Sequence, residues 1–151
     1  MRFFTSELWS QINDADPKIR AQAEKEWAAN DLEYQKMFAE TSKHLPRRFI
    51  KNYLNRNGLH DYAILEMAFA QKGRTSFGML RLSNAVETVW IEMAELRAVS
   101  ISVEPDRCMN GLLVWGYDEI EVTPQNTIKL AILCDVQNEL QFEFKSIKLI
   151  V

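Results

Sequence analysis

The chain of 151 residues has few of the residues that mark several common protein classes. Its five glycines and four prolines are too few for a linker-rich protein or for a glycine-rich nucleotide cradle. No apolar run approaches the roughly 20 residues of a membrane span, and the first residues lack the apolar stretch of a secretion signal. The sequence therefore predicts a cytoplasmic protein with no membrane segment.

Cysteine is also scarce, because the chain has only Cys108 and Cys134. These two stand too far apart for a redox pair or a metal-binding motif. Cys134 lies in an apolar run, which predicts a buried thiol, whereas Cys108 lies in a predicted loop and its exposure stays open. With two histidines and no ligand spacing, we expect no metal site.

The motifs of the best-known enzyme classes are missing as well. The sequence contains no GxSxG, GxGxxG or HExxH motif, and no phosphate loop. We therefore expect no cofactor, and no conventional hydrolase, NTPase or dehydrogenase. A site assembled from distant residues stays open.

Charge is unevenly distributed along the chain. Residues 1–60 hold ten Lys and Arg against eight Asp and Glu, and residues 61–151 hold eight against thirteen, which returns the net charge of −3. A mildly acidic protein is not a general nucleic-acid coat.

Residues 1–60 predict three helices, each with one apolar side. The first spans about 6–13 after the cap residue Thr5, and the second spans about 17–42 after Asp16, with Pro17 at its first position. The third runs from Pro46 to about residue 56.

Residues 61–151 predict strands, because apolar and polar residues alternate between recurrent turn signals. Residues 63–71 and 75–82 form a hairpin, and further strands follow at 88–103, 112–122, 128–134 and 140–151. A change of face at 145–146 indicates a bulge, and the pattern at 92–97 fits either a strand or a helical turn. Short connections favour antiparallel neighbours.

The predicted fold is α+β, with N-terminal helices packed on one face of a five- to six-stranded antiparallel meander sheet. We expect a single domain over 1–151, in which residues 1–60 form the helical layer and residues 61–151 the sheet layer.

Three patches of the sequence stand out together: MRFFTSELW (1–9), LPRRF (45–49) with GLHDY (58–62), and GYDEIEV (116–122) with NELQFEFKSIKL (138–149). This combination resembles an uncharacterised bacterial family of Bacillus-like organisms, a domain of unknown function. The resemblance implies N-terminal helices, a C-terminal β-meander and a bacterial source, and it implies no activity.

A run without acidic residues supplies the first candidate site. Residues 41–60 contain Lys43, Arg47, Arg48, Lys51 and Arg56, and three of these cations repeat every four residues on one helix face. The face is a solvated surface, a docking surface for an anionic protein, or a nucleic-acid contact. Phe49 and Tyr53 lie on the apolar side of the helix, which weakens the nucleic-acid interpretation.

The second candidate site combines the junction residues His60 and Asp61 with Tyr117, Asp118 and Glu119. A histidine beside a carboxylate can orient a proton-transfer group, or can satisfy backbone groups at a helix end. Glu119 and Glu121 share a strand face, which is typical of the wet side of a sheet.

These observations predict a small non-catalytic cytoplasmic protein-binding module, with an immunity- or antitoxin-like role as one version. Its expected partner is another protein, and a homodimer through a sheet edge or sheet face is a second expectation. Two alternatives stay open: nucleic-acid binding through the basic helix face 43–56, and an enzyme with an unrecognised site near His60 and Asp118.

Overall fold

The computed structural model describes residues 1–104, 113–134 and 138–151 of the protein. It contains three α-helices, two single 3-10 turns (Ser42–His44 and Asn57–Leu59) and eight strands. The helices are α1 (Ser6–Ile12), α2 (Pro17–Thr41) and α3 (Arg47–Leu54). The strands are β1 (Ala63–Lys72), β2 (Thr75–Ser83), β3 (Thr88–Ala94), β4 (Ala98–Ser102), β5 (Leu113–Val122), β6 (Ile128–Cys134), β7 (Asn138–Phe144) and β8 (Ser146–Ile150).

The predicted helices are confirmed, with each end within two residues of its expected position. The Thr5 side chain accepts a hydrogen bond from the Leu8 N–H and caps α1. Asp16 does the same for the Lys18 N–H at the start of α2, satisfying a backbone donor that has no partner within the helix. Among the described residues, no helix combines the length and the apolar character needed to cross a membrane.

The α+β class is confirmed, but the expected number of five to six strands is wrong. The sheet has eight strands in the order β4-β7-β6-β5-β1-β2-β3-β8, and every pairing is antiparallel. The difference arises because two long predicted strands are bent.

Each bend divides one predicted strand into two. The segment 88–103 breaks at residues 95–97, where Glu95 has a positive φ of 53°, so the ambiguous stretch 92–97 is the end of a strand followed by a bend. The last segment breaks at Lys145, where a change of face was expected. Two backbone hydrogen bonds hold the bends together, from Arg97 N to Glu143 O at 2.7 Å and from Lys145 N to Ala94 O at 3.0 Å.

The bends curl the sheet back on itself. Strand β3 continues into β4 and β7 continues into β8, while β3 pairs with β8 and β4 pairs with β7. The inner face encloses the main apolar cluster, whose members include Leu80, Ile91, Ile120, Ile132 and Phe144. Burial of such side chains is the main favourable contribution to folding.

The helices do not form one layer on one face as expected. Phe49 and Tyr53 of α3 belong to the main cluster, whereas Tyr34 of α2 packs with Phe3 and Phe4 in a second cluster against Tyr117 of β5. The alternating side chains of β5 point to both clusters, and Phe38 of α2 packs against both, with its ring 5.8 Å from that of Tyr53.

Strand β8 stands at one end of the strand order, but its edge is not bare. Helix α3 packs beside it, and the Asn52 side chain donates to the Leu149 carbonyl oxygen at 3.2 Å. Cys134 is buried, as expected. Cys108 lies outside the described residues.

Candidate functional site

Four cations of the predicted basic run are exposed, and we name them together the basic face: Lys43, Arg47, Arg48 and Lys51. The expected helix face through residues 43, 47 and 51 is not continuous, because Lys43 lies on the 3-10 turn before Pro46, and only Arg47 and Lys51 lie one turn apart on α3. Helix α3 buries Phe49 and Tyr53 in the main cluster, and this orientation leaves its charged residues in solvent. Within the basic face, Lys43 forms an ion pair with the exposed carboxylate of Glu40, one turn before it.

Arg56, the fifth predicted cation, lies apart from the basic face. Its guanidinium binds the Glu87 carboxylate, with Nη2 to Oε2 at 2.8 Å, and also donates to the Asn52 carbonyl oxygen. The Tyr62 hydroxyl donates to the same carboxylate. The hydrogen bond from Arg56 lowers the pKa of Glu87 from its ordinary value. Arg56 therefore joins the end of α3 to the β2–β3 connection.

His60, Asp61 and Tyr117 meet at the surface. The His60 Nδ1 atom lies 3.0 Å from the Asp61 carboxylate, and the His60 ring stands edge-on to Tyr117 with centroids 5.2 Å apart. Neighbouring residues in an extended chain point apart, but Asp61 has a φ of 69°, which turns its side chain back to His60.

Tyr117 also belongs to an aromatic cluster with Phe4, Trp9 and Trp27. The centroid distances from Tyr117 to these three rings are 5.6, 5.1 and 4.6 Å. At such spacing the rings pack on one another and leave no room for a ligand between them. Trp115, by contrast, is buried in the main cluster.

Asp118 points into the main cluster. Its carboxyl group accepts hydrogen bonds from the Tyr53 hydroxyl at 2.8 Å and from Trp115 Nε1 at 3.0 Å. Burial raises the pKa of Asp118 to about 7, although both hydrogen bonds act in the opposite direction. The same burial, with Asp118 beside it, raises the pKa of Tyr53 well above its ordinary value.

Glu119 points to the opposite side of β5 and holds the first residues of the chain. Its carboxylate accepts from the backbone N–H groups of Arg2, Phe3 and Phe4, with the shortest distance 2.6 Å, from the Phe3 nitrogen to Oε1. The expectation of a wet sheet face is correct for Glu121, which is exposed, and wrong for Glu119, which is 8% exposed. The segment 2–4 covers Glu119 and supplies its donors.

The structure therefore divides the ten predicted site residues into groups with different roles. The basic face is exposed, Arg56 is paired, His60 contacts Asp61 and Tyr117, Asp118 is enclosed, and Glu119 is an anchor. Sequence reasoning missed Tyr53 and Trp115 as the partners of Asp118. The one local signal for these contacts is that Trp115 stands three residues before Asp118 in the same strand.

Comparison with known proteins adds little to this geometry. No family model matches the chain, and no curated protein matches it. One similar solved structure is that of an uncharacterized protein from Neisseria gonorrhoeae, with a TM-score of 0.45 and 16% identity over 60% of this chain and 90% of that chain. The resemblance to a Bacillus-like family stays a prediction from the sequence.

Proposed function

We propose that this chain is a small non-catalytic protein-binding module of the bacterial cytoplasm, which docks an acidic surface of a partner protein through its basic face. An immunity- or antitoxin-like role, in which a small protein occupies the surface of a larger one, is one form of this function. The observation that carries the proposal is the exposure of four cations within residues 43–51, with Arg47 and Lys51 one turn apart on α3.

The basic face has a rigid support. Phe49 is 2% exposed and Tyr53 is 6% exposed, so α3 is fixed to the sheet by its apolar side. Because the helix that carries these cations is already fixed, binding to an acidic surface does not require the backbone to lose much conformational entropy. Complementary charge also steers the encounter between two proteins and disfavours partners of the wrong sign.

An acidic protein fits this surface better than a nucleic acid does. Single-stranded nucleic acids are bound by cations interleaved with exposed aromatic rings, whereas the aromatic side chains of α3 are buried. The chain as a whole also carries a net charge of −3, which repels a phosphate backbone outside the basic face.

The enzyme alternative has less support from the geometry. Asp118 is enclosed by Tyr53 and Trp115, and Glu119 is occupied by backbone donors. His60 and Asp61 lie at the surface, and neither lines any of the four cavities that we describe among residues 1–104, 113–134 and 138–151. A reaction site needs converging groups around a cavity.

The proposal is tested by comparing two charge reversals as bait proteins in native lysate. The variant R47E/K51E reverses two cations of the basic face, and K18E/R20E makes the same charge change at exposed positions of α2. We expect the wild-type protein and K18E/R20E to retain the same acidic protein in stoichiometric amount, and R47E/K51E to lose it. Retention of that protein by all three baits, or stoichiometric retention by none, contradicts the proposal.

A further inference from the structure

A cavity of about 330 Å³ lies next to the basic face. The cavity is half open to solvent, and three segments line it: the chain that leads into α3, the turn between β5 and β6, and the bend between β7 and β8. Its lining residues are Lys43, His44, Leu45, Pro46, Val122, Asn126, Ile128, Lys145 and Ser146. The lining contains two lysines and a histidine and no acidic residue, although the chain as a whole has more acidic than basic residues.

The β5–β6 turn is a rigid wall of this cavity. The Thr123 N–H donates to the Thr127 carbonyl oxygen at 2.8 Å, and the hydroxyls of the same two residues are 2.6 Å apart. The Asn126 N–H donates back to the Thr123 carbonyl oxygen at 2.9 Å. These hydrogen bonds fix the conformation of the turn beside the cavity.

Lys145 is held at the edge of the cavity by this turn. Its ammonium group donates to the Asn126 carbonyl oxygen at 3.2 Å. One such contact leaves two further ammonium N–H groups for another acceptor. The backbone N–H of Lys145 is bonded to the Ala94 carbonyl oxygen, which fixes the bend from which the side chain projects.

Lys43 contributes a cation that an anionic ligand can recruit. Its ion pair with Glu40 is exposed, with 61% and 74% of the two side chains accessible, and exposed pairs of this kind contribute little to stability. The hydrogen bond and the charge of Lys43 lower the pKa of Glu40 from its ordinary value. Lys43 and His44 are both exposed, and both line the cavity.

The remaining lining favours a compact anion. Leu45 and Ile128 are each 5% exposed and form an apolar floor, and low polarity strengthens the attraction between opposite charges. Helix α3 begins after Pro46, which lines the cavity, and its first turn has no side-chain cap, so the positive end of the helix dipole lies beside the cavity.

We propose that this cavity binds a small phosphate monoester, with its phosphate group between Lys145, His44 and Lys43. A phosphate monoester carries nearly two negative charges at neutral pH and presents several acceptor oxygens, which matches two lysines, a histidine and the Ser146 hydroxyl. The cavity volume is at the lower end of the range for small-molecule sites. This proposal does not depend on the protein-docking function.

The test uses the whole protein and two probes, inorganic phosphate and O-phosphoserine, at constant ionic strength. We expect saturable changes in the amide chemical shifts of Asn126, Lys145 and Ser146, and no change in the β1–β2 hairpin. Lys145→Ala should weaken binding at least tenfold. Lys148→Ala, an exposed lysine that does not line the cavity, should bind within twofold of the wild-type protein.

Thermal unfolding shows whether Lys145→Ala is folded. If it is not, Lys43→Gln is the second test, and we expect it to weaken phosphate binding at least threefold. Shifts that grow linearly without saturation, equal shifts with chloride at the same ionic strength, or unchanged binding by Lys145→Ala each overturn the proposal. Loss of partner capture by R47E/K51E with phosphate binding intact separates this site from the docking function.

Discussion

The Tyr53 hydroxyl donates to the Asp118 carboxyl group across the interior of the protein, at 2.8 Å from Oδ2. This contact joins α3 to β5, and the Trp115 indole supplies the second donor to the same carboxyl group. Asp118 has no ion pair among the described residues. Burial without an adjacent cation favours the protonated form of this carboxyl group and outweighs the two donors, which favour the charged form.

We predict that Asp118 makes the stability of the protein depend on pH. The pKa of Asp118 is about 7 in the folded protein and about 3.9 when unfolded. The folded state therefore holds a proton that the unfolded state has lost, and this contribution is complete below pH ~4 and disappears as the pH rises through about 7. This difference of about 3 between the two pKa values corresponds to about 4 kcal/mol in the free energy of unfolding.

The variant Asp118→Asn imitates the protonated form and removes this dependence. Denaturant unfolding of both proteins between pH 4 and pH 8.5 measures the difference in free energy of unfolding. The wild-type protein should lose stability relative to the variant as the pH rises. A difference in free energy of unfolding that is constant over this pH range, or one that moves in favour of the wild-type protein as the pH rises, contradicts the raised pKa of Asp118.

A second prediction concerns Glu119 and the first residues of the chain. Glu119→Gln removes the charge that three backbone N–H groups share, and hydrogen bonds to charged groups contribute about 1.5–3 kcal/mol each. We expect a loss of about 3 kcal/mol in the free energy of unfolding, with faster hydrogen exchange at residues 2–4.

Glu121→Gln is the matched control, because Glu121 lies on the same face of β5 and is exposed. It should change the free energy of unfolding by less than about 0.5 kcal/mol. Equal effects of the two substitutions would show that Glu119 does not anchor the segment.

The sequence predicted the helices well and the sheet only in outline. Thr5 and Asp16 are local signals, since a cap and an apolar stripe define a helix without distant contacts. The bends at Glu95 and Lys145 depend on hydrogen bonds between β3–β4 and β7–β8, which lie about fifty residues apart in sequence. No local pattern encodes such a pairing.

The candidate site shows the same division. The exposure of Arg47 and Lys51 follows from the apolar stripe of their own helix, so it could be predicted. The roles of Asp118 and Glu119 depend on residues 65 and more than 100 positions away. Because Asp118 and Glu119 are neighbours in β5, their side chains could be predicted to lie on opposite faces of the strand. The sequence did not indicate that other parts of the chain cover both faces.

A third prediction follows from Gly116, at the register shift between Trp115 and Tyr117. A Cβ atom there would lie 2.8 Å from the Leu133 carbonyl oxygen, and because this oxygen belongs to the backbone, the strands themselves must move. Gly116→Ala should lower the free energy of unfolding by about 2 kcal/mol. Gly73→Ala, which meets no atom within 4 Å, should cost about 1 kcal/mol through its positive φ. Denaturant unfolding measures both losses of stability. A larger loss for Gly73→Ala than for Gly116→Ala would contradict this prediction.

A fourth prediction separates Arg56 from the basic face. Arg56→Ala breaks its hydrogen bonds with Glu87 and Asn52 and should lower the free energy of unfolding by about 2 kcal/mol. Partner capture should be unchanged under conditions where the variant is folded. Loss of capture with unchanged stability would place Arg56 in the docking surface instead.

The most direct test of the docking function is the dissociation constant of the purified complex with the captured partner. R47E/K51E should weaken binding to the partner at least a hundredfold at 50 mM salt. Binding by the wild-type protein should itself weaken steeply between 50 and 500 mM salt. K18E/R20E should follow the wild-type protein. A dissociation constant that R47E/K51E leaves unchanged, or that salt leaves unchanged, would contradict docking through Lys43, Arg47, Arg48 and Lys51.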